Sequence, residues 1–319
     1  MRKFLGAVRL SDAQTREVLS QYDLGNPKRI DWLADGYQSD NYTLITDRGK
    51  YCLRVIYEGE RRLEYILGLY EYVASRGIPT AKPVRTREGE LYAMWEGNLL
   101  AIQTFVEGKS GAEVPKPLPL YGKELGRLHC ALVGAPGAGQ EGVGSLPSVR
   151  RLSEGFPPDD FVRREYQGLQ DEIASLPLSA FTRGVVHGDP GPKDFYFEGD
   201  RLVGVLDFGA ACPDYILYDL ATMMMYTWIV PAQKKTDYQS FMRAYLESFP
   251  LPREELGGLH AFLRARFLIQ VFYHWMRYRE AVTQGLSSPQ DNLEGVEDGK
   301  AMLKLLAEVP TGQYLIADA

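Results

Sequence analysis

The chain has 319 residues, of which 45% are hydrophobic and 24% charged, a composition typical of a folded globular protein rather than a disordered or fibrous one. Its formal net charge is −6, so composition favours neither a nucleic-acid partner nor an anionic membrane surface. Three scattered cysteines without a C-x-x-C pair argue against a disulfide framework and a zinc site. No apolar run is long enough for a signal peptide or a membrane span, which predicts a cytoplasmic protein. The sequence does not indicate an oligomeric state.

The first third of the chain predicts strands around one long helix. Residues Ser11 to Gln14 have the pattern of a capping box that begins a short helix. Residues 60–76 carry apolar side chains at helical spacing and predict a second helix, which the Gly-Ile-Pro sequence at 77–79 ends. Runs of β-branched and aromatic residues between turn sequences predict strands at 41–46, 51–57, 81–86, 91–95 and 99–106.

After Gly108 the pattern becomes mostly helical. The Gly/Pro-rich stretch 134–148 predicts a mobile loop, and 184–206 predicts short strands. Helical patterns occupy 116–133, 160–175, 214–229, 234–248, 254–284 and 295–308. This order predicts an α+β protein with a small β-rich nucleotide-binding lobe at 1–105 and a larger helical lobe at 106–319 for catalysis and substrate binding.

Two acidic motifs lie in the strand-like stretch and the turn that follows it. Asp189 comes two residues after His187, Asp194 comes five residues after Asp189, and Asp207-Phe-Gly follows an apolar strand. Either motif alone would be an ordinary turn. Together they have the spacing of a kinase catalytic loop, H-x-D-x-x-x-x-N with Asp in last place, and of the D-F-G metal motif. Phosphoryl transfer needs a carboxylate to orient the attacking hydroxyl and oxygen ligands for Mg²⁺.

The first third also contains candidates for binding the phosphates of ATP. Gly36, Ser39 and Asn41 lie in or beside a loop between two strands, where backbone amides are able to cover phosphates. Arg54 lies in the next strand, at the position expected for a phosphate-binding cation, and Glu64 is its candidate partner. Glu60 competes with Glu64 for that ion pair. An ordinary turn and a surface row of charges are the structural alternatives.

Around these motifs the chain resembles the aminoglycoside phosphotransferase and choline kinase-like superfamily, and within it most closely the type II homoserine kinases. The segments that carry the resemblance are 36–57, 105–108, 125–131, 197–214 and 217–221. The resemblance implies the two-lobed protein-kinase-like fold, ATP and Mg²⁺. It implies that Asp189 is the catalytic base, that Asp194 and Asp207 bind magnesium, and that backbone groups from Gln103 to Phe105 contact adenine.

Two features depart from the family pattern. Asp194 stands where the family usually has Asn, which adds a negative charge beside Asp189 and Asp207 and leaves a slow or inactive site open. The loop also carries Pro190 and Pro192, which fix φ and are expected to stiffen it.

The acceptor site is predicted on the helix at 254–284. Arg266, Tyr273, His274 and Arg277 recur there at helical spacing and are the candidate substrate residues, with packing as the alternative. Val271 and His274 fall where homoserine kinases are expected to have charged residues, so homoserine itself stays open. His129 and His260 are expected to be structural or exposed rather than catalytic, and Asp219 is expected to brace the catalytic loop rather than to contact substrate.

The leading interpretation is a small-molecule kinase that phosphorylates a hydroxyl of a homoserine-like amino acid or an amino alcohol. An antibiotic phosphotransferase of the aminoglycoside type is the alternative enzyme. A catalytically inactive kinase-like binding or coat protein is the alternative from another class. A protein kinase is disfavoured, because no activation segment ends in Ala-Pro-Glu.

Overall fold

The structure is a computed structural model that describes residues 10–35, 39–56, 59–137, 145–228, 235–284 and 288–308. Gly36 and the central part of the predicted loop at 134–148 lie outside the described residues. None of the helices in those ranges is both long and apolar enough to cross a membrane.

Eleven strands lie within the described ranges. They are β1 Pro27–Asp35, β2 Ser39–Thr46, β3 Lys50–Ile56, β4 Pro83–Val84, β5 Ala93–Trp95, β6 Asn98–Thr104, β7 Lys109–Ser110, β8 Arg183–Val186, β9 Phe195–Glu198, β10 Arg201–Val205 and β11 Cys212–Tyr215. The strands predicted at 41–46, 51–57 and 99–106 are confirmed as β2, β3 and β6, with shifts of a few residues at their ends.

The same ranges contain nine α-helices. They are α1 Asp12–Ser20, α2 Glu60–Ser75, α3 Leu118–Leu132, α4 Ser148–Ser153, α5 Asp160–Ser175, α6 Ile216–Trp228, α7 Lys235–Ser248, α8 Leu259–Gln284 and α9 Pro289–Ala307. The helix predicted from 254 begins only at Leu259, because 253–258 forms 3₁₀ turns. The helix predicted from 295 begins earlier, where the Ser288 side chain accepts a hydrogen bond from the Asp291 N–H.

The chain forms two compact units. The first comprises Met1–Lys109 and Tyr196–Leu206, and the second comprises Ser110–Phe195 and Asp207–Ala319. The sequence predicts one boundary, between residues 105 and 106, and contains no signal that 196–206 would join the first unit. The predicted combination of a β-rich N-terminal region and a mostly helical C-terminal region is confirmed.

An antiparallel sheet dominates the first unit. Its strand order is β1-β2-β3-β6-β4, and β5 also pairs with β6. Successive residues of β6 point to opposite faces: Leu100 and Ile102 join one apolar cluster, and Ala101 joins the other with Leu63 and Leu67 of α2. The helix α1 begins with the predicted capping box, in which Ser11 and Gln14 exchange hydrogen bonds.

Helices build most of the second unit, with β8 and β11 as a short antiparallel pair. Several side chains of α6 are fully buried, among them Leu217, Ala221 and Met224. The pairing of α8 with α9 depends on glycine: a Cβ at Gly295 would lie 2.4 Å from Nδ1 of His274. The arrangement leaves the loop after β8 directly against the N-terminal half of α6.

Candidate active site

The predicted catalytic loop begins where β8 ends, and a buried carboxylate of α6 fixes its backbone. Asp219 accepts hydrogen bonds from the N–H groups of His187 (2.7 Å) and Gly188 (2.8 Å). His129 Nε2 lies 3.2 Å from the same carboxylate, and His129 Nδ1 lies 2.8 Å from the Tyr245 hydroxyl. All three side chains are fully buried. The predicted bracing role of Asp219 and structural role of His129 are therefore confirmed.

Gly188 lets this loop approach the turn that follows Asp207. Its φ is +86°, in the left-handed region that favours glycine. A Cβ at this position would lie 2.3 Å from the carbonyl oxygen of Ala210. Beside this contact the His187 ring packs on Phe208, with ring centroids 4.9 Å apart. The His-Gly-Asp loop and the Asp-Phe-Gly turn therefore lie together, as their spacing predicts.

The Asp189 carboxylate accepts hydrogen bonds from three side chains. Lys193 Nζ donates to Oδ2 over 3.2 Å, and the Tyr226 hydroxyl lies 2.9 Å from Oδ1 and 3.1 Å from Oδ2. Arg266 Nη2 donates to Oδ1, and Arg266 Nε donates to the Thr222 hydroxyl. Burial raises the pKa of Asp189, but the charges of Arg266 and Lys193 outweigh burial and hold the pKa below its usual value.

Asp194 is a buried carboxyl in the same loop. Its Oδ2 accepts a hydrogen bond from the Gly191 N–H over 2.9 Å. Burial raises the pKa of Asp194 well above its usual value, and the nearby charges of Asp207 and Asp189 raise it further, whereas Lys193 lowers it. A buried carboxyl beside two others is a favourable place for a cation.

Asp207 is exposed and has an unusual backbone. Its φ of 62° and ψ of 57° are left-handed, a conformation that costs a non-glycine residue about 1–2 kcal/mol and concentrates at functional sites. Asp207 and Asp194 both offer the hard oxygen ligands that Mg²⁺ prefers. Within the described ranges no three His, Cys, Asp or Glu side chains form a metal cage. Two carboxylates still fit Mg²⁺, because this ion is commonly held by one or two carboxylates plus substrate phosphates.

The cation predicted in the first unit has different partners from those expected. Arg54 donates from Nε to Oδ1 of Asn41 and from Nη2 to Oγ of Ser39, each over 3.1 Å. Asn41 and Arg54 are register partners on β2 and β3, which explains their contact. The Tyr92 hydroxyl donates to Glu60 and, over 3.4 Å, to Glu64. The expected Arg54–Glu64 ion pair is therefore not formed among the described side chains.

Gln103 and Phe105 lie at the end of β6 and just beyond it. The buried Gln103 side chain donates from Nε2 to the carbonyl of Ala81 over 2.9 Å, so its amide braces the backbone. The Phe105 N–H donates to the carbonyl of Lys50 over 3.4 Å, and the Lys50 ammonium lies 3.6 Å from the Phe105 ring centroid. Adenine contacts from this segment remain a prediction.

The four candidate substrate residues on α8 lie in three different environments. Arg266 binds Asp189, as described above. The Arg277 guanidinium lies 5.9 Å from the Tyr273 ring centroid. Burial raises the pKa of Tyr273, Arg277 lowers it, and the charge of Asp189 raises it further. His274 instead packs against α9 at Gly295, and burial lowers its pKa. His274 is thus an interhelical packing residue in this structure.

Sequence reasoning did not select Tyr226, Thr222 or Lys193, although all three belong to this cluster. Residues 219, 222 and 226 recur at intervals of three and four and therefore lie on one face of α6. Because Asp219 was already expected to touch the catalytic loop, this spacing contained a usable signal for Tyr226. Lys193 lies four residues after Asp189, within the motif itself.

Comparison with known proteins identifies the group to which this chain is related. Residues 31–257 match the model of the phosphotransferase enzyme family. A homoserine kinase of Parvibaculum lavamentivorans is 32% identical, with 82% of this chain and 85% of that protein covered. A homoserine kinase of Afipia carboxidovorans is also 32% identical, with 88% and 89% covered.

Solved structures have the same fold at low sequence identity. A microcompartment-associated aminopropanol kinase superposes with a TM-score of 0.72 at 15% identity, covering 96% of this chain and 99% of that chain. An amicoumacin kinase, solved in complex with AMP-PNP and Ca²⁺, gives a TM-score of 0.71 at 17% identity, covering 95% of each chain. The predicted protein-kinase-like fold is confirmed. The chain belongs to the phosphotransferase enzyme family, as a small-molecule kinase.

Proposed function

We propose that this chain transfers the γ-phosphoryl group of ATP to the hydroxyl of a small amino acid, with homoserine as the first candidate. The observation that carries the proposal is the position of Asp189, a carboxylate with a lowered pKa, in one cluster with Asp194 and Asp207. Eight relatives named homoserine kinase, at 27–32% identity over 82–95% of this chain, support this acceptor. The need for ATP is consistent with a cytoplasmic protein.

In the proposed reaction, Asp189 orients the acceptor. Its lowered pKa makes it an anion at neutral pH, able to accept a hydrogen bond from the attacking hydroxyl. The acceptor oxygen forms a bond to the γ-phosphorus, the bond from that phosphorus to the β,γ-bridging oxygen breaks, and the hydroxyl proton passes to Asp189. A weak base suffices, because the transition state of phosphoryl transfer is loose and needs mainly positioning and charge stabilisation.

Asp194 and Asp207 are the proposed magnesium ligands. Bound Mg²⁺ would supply charge neutralisation for the triphosphate. Burial and the charges of Asp207 and Asp189 raise the pKa of Asp194 despite the opposing charge of Lys193, so a bound cation would favour its ionised form. Asp has the same oxygen chemistry as the Asn that the family pattern contains here, so the site retains its ligand type.

The nucleotide contacts assigned to the first unit complete the proposal. Ser39, Asn41 and Arg54 form one hydrogen-bonded group, which supports a joint role in phosphate binding. Gly36 is proposed to cover the phosphates. Gln103 and Phe105 are proposed to present backbone groups to adenine. For Glu64 to pair with Arg54, it would have to give up its hydrogen bond with Tyr92 when nucleotide binds.

The acceptor carboxylate is proposed to bind Arg277. Arg266 is committed to Asp189, whereas Arg277 lies further along the same helix, beside the ring of Tyr273. The charge of Asp189 acts on Tyr273, which places this pair near the catalytic carboxylate. An amino-acid acceptor needs such a cation for its carboxylate, and guanidinium matches carboxylate geometry. His274, which packs against α9, has no part in this proposal.

An antibiotic acceptor is not favoured by the comparisons. The antibiotic kinases that share the fold are 12–17% identical to this chain, which supports fold alone. A catalytically inactive role is not favoured either, because the relatives found by sequence are named as enzymes.

The test is ADP formation from Mg·ATP with a panel of homoserine, serine, threonine, 1-amino-2-propanol, choline and an aminoglycoside. We expect turnover with homoserine to exceed that with each amino alcohol, which lacks the carboxylate, by at least 10-fold. Arg277→Met should remove most of this preference by raising the KM for homoserine. Equal turnover of homoserine and an amino alcohol would refute the amino-acid assignment, and turnover of the aminoglycoside alone would replace it.

A further inference from the structure

Lys193 is a cation in the catalytic loop that the phosphoryl-transfer scheme above does not use. Its ammonium donates to Oδ2 of Asp189 over 3.2 Å and lies 5.5 Å from the Tyr226 ring centroid. Its side chain is 48% exposed, whereas that of Arg266, the other cation bound to Asp189, is 7% exposed. The two cations therefore differ in their freedom to move.

Three donors already share the two oxygens of Asp189, so an acceptor hydroxyl that approaches Oδ2 competes with Lys193 for that oxygen. Arg266 and Tyr226 contact Oδ1, and Tyr226 and Lys193 contact Oδ2. Arg266 is fixed by burial and by its second bond to Thr222. Lys193 is held by one hydrogen bond at the end of a flexible, half-exposed stem, so it is the donor that is most easily displaced.

A displaced Lys193 ammonium remains within the field of the neighbouring carboxylates. Asp189, Asp194 and Asp207 each act electrostatically on Lys193. Arg266, the other cation of the cluster, is committed to Asp189. Lys193 is thus the exposed cation of this cluster, and a cation that is free to move is able to compensate charge on a transferring phosphoryl group.

We propose that Lys193 is a catalytic residue with two successive partners. Before the acceptor binds, its ammonium occupies Oδ2 of Asp189. When the acceptor hydroxyl takes that oxygen, the ammonium moves to a non-bridging oxygen of the transferring phosphoryl group. This inference rests on the proposed kinase activity. It adds no co-reactant, because ATP supplies the phosphoryl group and Asp189 receives the proton.

The test compares Lys193→Met and Lys193→Arg with the wild type and with Lys123→Met, which removes an exposed lysine of α3. Three quantities are measured: kcat with Mg·ATP and homoserine, the Kd of homoserine without nucleotide by calorimetry, and the thermal unfolding midpoint. We expect Lys193→Met to lower kcat about 100-fold, the scale of losing one transition-state charge contact. Lys193→Arg should recover at least 10-fold of that loss, and Lys123→Met should match the wild type.

Homoserine binding distinguishes this role from a structural one. Because Lys193 competes with the acceptor for Asp189, Lys193→Met should bind homoserine as tightly as the wild type or several-fold more tightly. A kcat within 10-fold of the wild type would overturn the inference while leaving the kinase assignment intact. So would a weakening of homoserine binding in parallel with kcat. A wild-type protein without homoserine turnover would refute the proposed function, and the inference with it.

Discussion

Asp189 and Arg266 form an ion pair although 77 residues separate them in the chain. The pair joins the catalytic loop to α8, and the second bond of Arg266, to Thr222, ties it to α6. The charge of Asp189 is therefore balanced by the protein itself. In the proposed reaction this balance keeps Asp189 ionised and in one orientation.

Removal of the Arg266 charge is predicted to change the pH dependence of catalysis. Arg266 lowers the pKa of Asp189, and the ionised form is the one that accepts the hydroxyl. Activity is present above this pKa and is lost as pH falls through it. Arg266→Met should therefore move the acid limb of the kcat profile to higher pH, by about one unit or more.

The control for the Arg266 variant is Arg264→Met, because Arg264 pairs with Glu165 and Glu172 instead of Asp189. Coincident acid limbs in Arg266→Met and the wild type would contradict the prediction.

The Asp219 carboxylate is predicted to stabilise the loop through its two backbone hydrogen bonds. Asp219→Ala leaves the buried N–H groups of His187 and Gly188 without their acceptor, at a cost of about 2–5 kcal/mol in the free energy of unfolding. Asp219→Asn keeps one acceptor oxygen and should lose clearly less. Urea unfolding measures both. Equal losses in the two variants would show that the backbone hydrogen bonds do not set the cost.

Gly188 is predicted to tolerate no side chain. Gly188→Ala adds a Cβ 2.3 Å from the Ala210 carbonyl oxygen, in addition to left-handed backbone strain. Gly199 is the matched control: its φ is +58°, and nothing lies within 4 Å of a Cβ there. We expect Gly199→Ala to cost about 1 kcal/mol from backbone strain alone. Gly188→Ala should cost at least twice as much and lower kcat. Similar losses of stability, without a change in kcat, would refute the close approach of the two loops.

Asp214 is predicted to lower stability as pH rises. This carboxyl of β11 is buried, and burial raises its pKa from 3.8 to about 6, although the N–H groups of Leu146 and Tyr215 oppose that rise. Between these pH values the folded protein holds a proton that the unfolded chain releases. The contribution to stability is complete below pH 3.8 and is lost as pH rises through about 6.

The comparison with Asp214→Asn isolates this effect. The free energy of unfolding of the wild type minus that of the variant should fall by about 2.4 kcal/mol between pH 4 and pH 8. Chemical denaturation at several pH values measures it, and subtraction removes the other titrating groups. A difference that stays constant or rises with pH would show that the pKa of Asp214 is not raised.

The sequence was sufficient to predict that the two acidic motifs, which are close in the chain, lie together in the fold. The spacing of Asp189, Asp194 and Asp207 predicts loops whose geometry is set by short-range constraints, and the structure brings them together. Asp219 follows in the next helix and accepts hydrogen bonds from the loop that it is expected to brace. Spacing in the chain predicts this proximity because short connections between neighbouring strands and a helix allow few arrangements.

Contacts between distant segments could not be predicted in the same way. Helical periodicity places Arg266, His274 and Arg277 near one face of α8, but it does not say which neighbour each side chain meets. Arg266 meets Asp189, whereas His274 meets α9 through Gly295. In the first unit, Tyr92 binds Glu60 and Glu64 from a distant segment. Nothing near Arg54 in the sequence indicates that Tyr92 takes the two glutamates that were candidate partners of Arg54.

The most direct test of the account is transfer of the γ-phosphoryl group itself. Wild-type protein and Asp189→Asn are incubated with Mg²⁺, homoserine and ATP labelled at the γ-phosphate, and labelled phosphohomoserine is measured by mass spectrometry. We predict labelled product from the wild type and a rate about 10²–10⁴-fold lower from Asp189→Asn, the range expected for loss of a general base. Equal rates from a folded variant, or no labelled product from the wild type, would contradict it.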